Sequence, residues 1–142
     1  MPALFIIPLT IIPMVVYLIL GWIFDAAGSN FWSTEIFGLT LVGGRQWTFS
    51  LGDLMLIGGL VCLFLEVLKS TNSSSRAITN HILSTIVFIV YLLVFILVGI
   101  AAHSVFFMLM AMSAFDVIAG FSITIKTAAR DISYSRTIDT PP

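Results

Sequence analysis

The sequence predicts an all-α membrane protein with four transmembrane helices and a small extracytoplasmic β-hairpin between helices 1 and 2. Three observations carry this expectation. Of the 142 residues, 59% are hydrophobic and only 9% charged, whereas a soluble domain carries about 25% charged residues. Four apolar runs are each long enough to cross roughly 30 Å of hydrocarbon at 1.5 Å per residue. Between the first two runs, apolar residues alternate with small and polar ones, which is the period of a strand and not of a helix. The chain is then a single integral membrane domain.

The first span covers residues 3–24. Pro8 and Pro13 remove backbone donors and are expected to bend its first half. No Lys or Arg precedes the run, and it is longer than a usual signal core, so a cleaved signal peptide is disfavoured. Residues 25–50 form the one long connection. Trp22, Trp32 and Trp47 flank or occupy it. Tryptophan favours the headgroup region, so all three are expected as interfacial anchors. Phe37, Leu39 and Leu41 alternate with Gly38 and Thr40, and Trp47, Phe49 and Leu51 with Thr48 and Ser50; Gly43-Gly44-Arg45 lies between. This reads as a hairpin. A two-residue Gly43-Gly44 turn would pair Leu39 with Thr48 and mix the faces. A three-residue turn pairs Leu41 with Trp47 and Leu39 with Phe49 and keeps one apolar face, so the longer turn is expected. It puts Arg45 where a glycine would be easier.

The second span covers residues 51–69. Ser50 and Asp53 have the spacing of a capping box, with Ser50 as cap and Asp53 reaching back. Gly52 and Gly59, seven apart, mark a face suited to close helix packing. Glu66, three residues before Lys69, is expected to pair with it or to snorkel to the surface. The single cysteine, Cys62, excludes an intrachain disulfide and reads as a small apolar side chain. A polar loop, 70–79, leads to a cap at Thr79 or Asn80 and a third span over 81–102. His103-Ser104 is the whole link to a fourth span over 104–126, which makes the last two helices an antiparallel hairpin. Residues 127–142 form a polar tail expected to be poorly ordered.

Asp116 stands in the middle of the fourth span. A carboxylate there costs roughly 2.5–3.5 kcal/mol on insertion scales. Ser113, Asp116, Gly120 and Thr124 recur at spacings of three and four and share one face. Small residues on that stripe admit a second backbone, and polar ones bond across the contact. Two readings follow. Asp116 is interface glue satisfied by Ser or Thr neighbours, or it handles a proton or cation, with Glu66 as a second candidate carboxylate. No Lys, Arg or His is expected beside it at mid-membrane, and Glu66 is expected two helical turns away, about 10 Å.

Five of the six Lys and Arg residues (Lys69, Arg76, Lys126, Arg130, Arg136) fall on one side and Arg45 on the other. The positive-inside bias then puts both termini in the cytoplasm and the hairpin outside. A net charge of −1 speaks against a nucleic-acid partner. His81 and His103 lie 22 residues apart, about 33 Å along a helix. They cannot share one haem and read as interfacial or capping residues. Met108, Met110 and Met112 spread around their helix and read as packing residues. Nucleophile elbows, phosphate loops and zinc-ligand spacings are absent. No enzyme activity, metal or cofactor is therefore expected.

The stretches TFSLGDLMLIGGLVCLFLEVLKST and FDVIAGFSITIKTAARDI, residues 48–71 and 115–132, resemble a family of small uncharacterised bacterial inner-membrane proteins. With the hairpin they cover about half the chain. The resemblance implies four spans and a bacterial inner membrane, and brings no activity or ligand. The expected function is that of a non-catalytic accessory or scaffold subunit. Such a subunit would pack on a larger membrane complex or its own copies through small-residue faces, among membrane lipids. The alternatives are an oligomeric proton- or ion-conducting element using Asp116, and a lipid- or quinone-binding module under the hairpin.

Overall fold

A computed structural model of the chain describes residues 7–24, 30–71 and 77–138. It is mostly helical: α1 (Ile11–Phe24), a two-stranded sheet of β1 (Glu35–Thr40) and β2 (Gln46–Ser50), α2 (Leu51–Thr71), α3 (Ala77–Leu97) and α4 (Ser104–Ile138). Among the described residues, three stretches are long and apolar enough to cross a membrane: Leu51–Ser70, Thr79–Leu97 and Ser104–Arg130. Leu54, Phe64, Ile82, Ile89, Phe115 and Ile118 point outward from them, as side chains facing hydrocarbon would.

The first helix differs from the expected 3–24 span. Its 14 residues reach only about 21 Å, and residues 1–6 lie outside the described part. Proline explains the late start. Pro8 disfavours helical geometry at Ile7, and the chain turns through Pro8 and Leu9, whose carbonyls accept from the Ile11 and Ile12 amides. Pro13 falls in the first turn of α1, where no intrahelical partner for its amide would exist. It lies where the helix starts.

The hairpin forms with a three-residue turn, but its register is shifted by two from the expected one. Leu39 pairs with Trp47 and Phe37 with Phe49, and an irregularity sits at Ile36. The turn is Val42-Gly43-Gly44, closed by the Leu41 amide on the Arg45 carbonyl. Gly44, with φ of +77°, takes the left-handed position that the expected register would have forced on Arg45. A shift of two preserves the faces. Phe37, Trp47 and Phe49 cluster on one side, with Phe37 and Phe49 stacked at 5.0 Å. Phe37, Leu39 and Trp47 on this face stay exposed, while Phe49 is half-buried.

The hairpin runs straight into α2 through the expected capping box. The Asp53 carboxylate accepts from the Ser50 amide and hydroxyl, and Ser50 Oγ accepts from the Asp53 amide. Before the hairpin, a short 3-10 turn, Phe31–Ser33, tucks Trp32 inside. Trp32 is not an interfacial anchor. It is 3% exposed and stacks on Tyr17 at 4.5 Å. Trp22 and Trp47 do face outward.

The last two helices pack against each other as expected, but their link is longer. Helix α3 stops at Leu97, and Val98 is extended ahead of a 3-10 turn at Gly99–Ala101. The Val98-Gly99 pair suits neither helix nor a tight two-residue link. His103 then caps α4, its Nδ1 accepting from the Val105 amide at 3.2 Å. Helix α4 continues to Ile138, where a disordered tail was expected. No Gly or Pro interrupts it after Gly120 until Pro141. Residues 139–142 lie outside the described part.

Helices α2 and α4 run side by side in the same direction. A Cβ on Gly52 would meet Val105 and the Trp32 carbonyl, both at 2.9 Å, and one on Gly59 would meet Leu109 and Met112. The small-residue face of α2 is thus filled by α4 of the same chain. The interior divides into two storeys. Nearer the hairpin it is apolar and aromatic: Tyr17, Trp32, Tyr91, Phe106 and Leu109. Farther away it is polar: Glu66, Ser84, Ser113 and Asp116, all buried.

Candidate functional site

The polar storey is assembled from three helices and the turn before the first. Gly52, Gly59 and Glu66 are spaced by seven, so Glu66 continues the α2 face that packs on α4. It does not snorkel: Glu66 has no exposed surface. Its carboxylate accepts from the Leu9 amide at 2.8 Å, from Asn80 Nδ2 at 2.7 Å and from Lys69 Nζ at 3.1 Å. Lys69 also donates to the Ile7 carbonyl. The non-helical backbone of residues 7–10 is therefore held by side chains, completed by Tyr91, whose hydroxyl donates to the Thr10 carbonyl. Irregular backbone at membrane depth requires such internal partners.

Asn80 does not cap α3, because that helix already begins at Ala77. Its side chain crosses to α2 instead and also reaches Ser70 Oγ at 3.2 Å. One turn further along α3, Ser84 hydrogen-bonds Asp116, which also feels the charges of Glu66 and Lys69. Glu66 and Asp116 are thus joined to α3 at positions four residues apart, about 6 Å in depth.

Asp116 is 3% exposed. Its Oδ2 has no hydrogen-bond partner among the described residues, and neither do Asn80 Oδ1, Ser113 Oγ or either ring nitrogen of His81. His81 is half-buried and is not a cap, since α3 begins at Ala77. Its ring lies over Gly120, whose missing Cβ would come within 2.6 Å of Nδ1, and stands edge-on to Phe121 with centroids 3.8 Å apart. A titratable ring is therefore present beside Asp116, where none was expected. A cavity of about 10 Å³ lies between α3 and α4, lined by Asn80, His81, Ser84, Asp116 and Thr124 among others. That is the space of one water. Thr124 turns its hydroxyl onto the Gly120 carbonyl.

Of the residues singled out in the sequence, the structure brings Glu66, Asp116, Ser113, Gly120 and Thr124 to this storey, with Gly52 and Gly59 on the seam leading to it. Sequence reasoning missed His81, Asn80 and Ser84. Their spacing of one, three and four on α3 was the available signal. Among the described residues, no group of three or more His, Cys, Asp and Glu side chains is placed to hold a metal ion. Two larger hollows lie toward the hairpin. One of about 290 Å³ between α1 and α2 is apolar and includes Leu54, Gly58 and Cys62. The other, about 360 Å³, is lined by Ser50, Asp53, His103 and Ser104 among others.

Comparison with family models, with curated proteins and with solved structures finds no match to this chain.

Proposed function

We propose that the protein is a membrane-embedded proton-conducting element in which Asp116 carries the proton. One observation supports this above the others: a carboxylate buried in the bundle, fixed by Ser84, with one oxygen turned to a water-sized polar cavity. An ionisable residue among membrane-spanning helices is expensive, and its default reading is functional. The setting we infer is a bacterial inner membrane, as the family resemblance implies, with both termini cytoplasmic from the charge bias. One bundle has no room for a water-filled pore, so conduction uses several copies or a chain of protonatable groups.

The test is proton flux into vesicles reconstituted with the pure chain. Asp116→Asn keeps the shape and the Ser84 contact but cannot ionise. It is expected to lower the flux about a hundredfold or more, the usual range for loss of a proton-transfer group. Equal flux from both proteins, or none from the unmodified one, removes the proposal.

A second reading is the accessory subunit. The small residues no longer favour it, since Gly52 and Gly59 of α2 pack on α4 and Gly120 of α4 packs on His81 of α3. What favours it is the uncovered aromatic face of the hairpin, Phe37, Leu39 and Trp47. Extraction in mild detergent followed by native mass spectrometry would show a stoichiometric larger partner if this reading holds.

A further inference from the structure

The unpartnered atoms around the small cavity constrain what fits it. Asp116 Oδ2 and Asn80 Oδ1 are acceptors, and a neutral imidazole offers one acceptor and one donor. A hard cation needs about six oxygens. Two free oxygens and a ring nitrogen do not provide them, and the space admits a single water. A water there accepts from the protonated Asp116 carboxyl and donates to Asn80 Oδ1 and to the acceptor nitrogen of His81, which satisfies atoms otherwise buried without partners.

We propose that Asp116 and His81 share a proton through one water held between α3 and α4, so that His81 is the group that takes the proton on from Asp116. This rests on the proton-conducting reading above and adds its next step. In that step the carboxyl O–H of Asp116 breaks and its proton binds the water oxygen. The same water releases another of its protons to the lone pair of the acceptor nitrogen of His81. The products are Asp116 carboxylate, water and imidazolium; nothing is oxidised or reduced. Gly120 makes the step possible by leaving space for the ring. Among the described residues, the other ionisable groups acting on this centre are Glu66 and Lys69 of α2, paired with each other. Asn80 links that pair to the same cavity.

The experiment uses the full chain in nanodiscs with ¹⁵N-labelled histidine, His103→Gln removing the second signal. Groups that share a proton titrate as a pair. Asp116→Asn is therefore expected to move the His81 midpoint by about one pH unit or more. An unmoved midpoint overturns the proposal. In the chain that retains Asp116, the infrared carboxyl band of Asp116 and the His81 ¹⁵N signal are expected to follow the same two midpoints. Independent midpoints overturn the proposal even if the Asn variant misfolds. In the vesicle assay, His81→Gln is expected to cut proton flux at least about tenfold. Flux that depends on Asp116 but not on His81 overturns this step and leaves the proposed function standing. Absence of any flux removes the function, while the titration still decides whether the pair exists.

Discussion

A side chain at Gly59 would be crowded by the ends of Leu109 and Met112 of α4. Gly58, one position away, faces open space. The two therefore answer differently to the same change. Gly59→Ala forces the seam apart and is expected to cost about 1–3 kcal/mol, as overpacking does. Gly58→Ala removes only backbone freedom and is expected to be neutral or to add up to about 1 kcal/mol. Unfolding midpoints in one detergent compare them directly. The seam was legible at this scale: the repeat Gly52, Gly59, Glu66 could be read from spacing alone. What hid Glu66's place in it was Lys69, three residues on, which made a surface pair look sufficient. The pair does form, with Lys69 only 15% exposed at its side chain. Both groups are pulled inward by the Leu9 amide and the Ile7 carbonyl, contacts across 57 and 62 residues that no local pattern encodes.

Among the elements, the hairpin separates what patterning fixes from what it leaves open. Alternation gave the two strands and their shared face. The register depended on which glycine takes the left-handed position, and two adjacent glycines offered both answers. Gly44→Val is expected to destabilise the turn by about 1–2 kcal/mol, the usual cost of that conformation with a Cβ. Amide exchange should accelerate over residues 35–50 and remain unchanged in α2, whose start is held by Ser50 and Asp53. Helix α4 shows the converse case. Composition marked residues 127–138 as a polar tail, yet with no breaker the helix simply continues. The break between α3 and α4 was underestimated because Val98-Gly99 sits in an apolar run that reads as uninterrupted span.

At the scale of the whole molecule, the spans and their outward apolar surface follow from composition, while the division of the interior into an aromatic and a polar storey does not. That division needs α2 and α4 to be parallel neighbours, a property of topology. The aromatic storey gives a measurable signature. Single-tryptophan variants in vesicles with brominated lipid should show Trp47 and Trp22 quenched and Trp32 shielded against Tyr17. Strong quenching of Trp32 would contradict the packing of the 3-10 turn inside the bundle. The attachments of α1 carry a consequence for synthesis. Leu9 is held by Glu66, Thr10 by Tyr91, and Tyr17 donates to the Ile100 carbonyl, spans of 57, 81 and 83 residues. Contacts so distant in sequence close late. Helix α1 is made before these partners and is thus the last of the group to find its seat, and until Ile100 has been made it must wait with those bonds unformed.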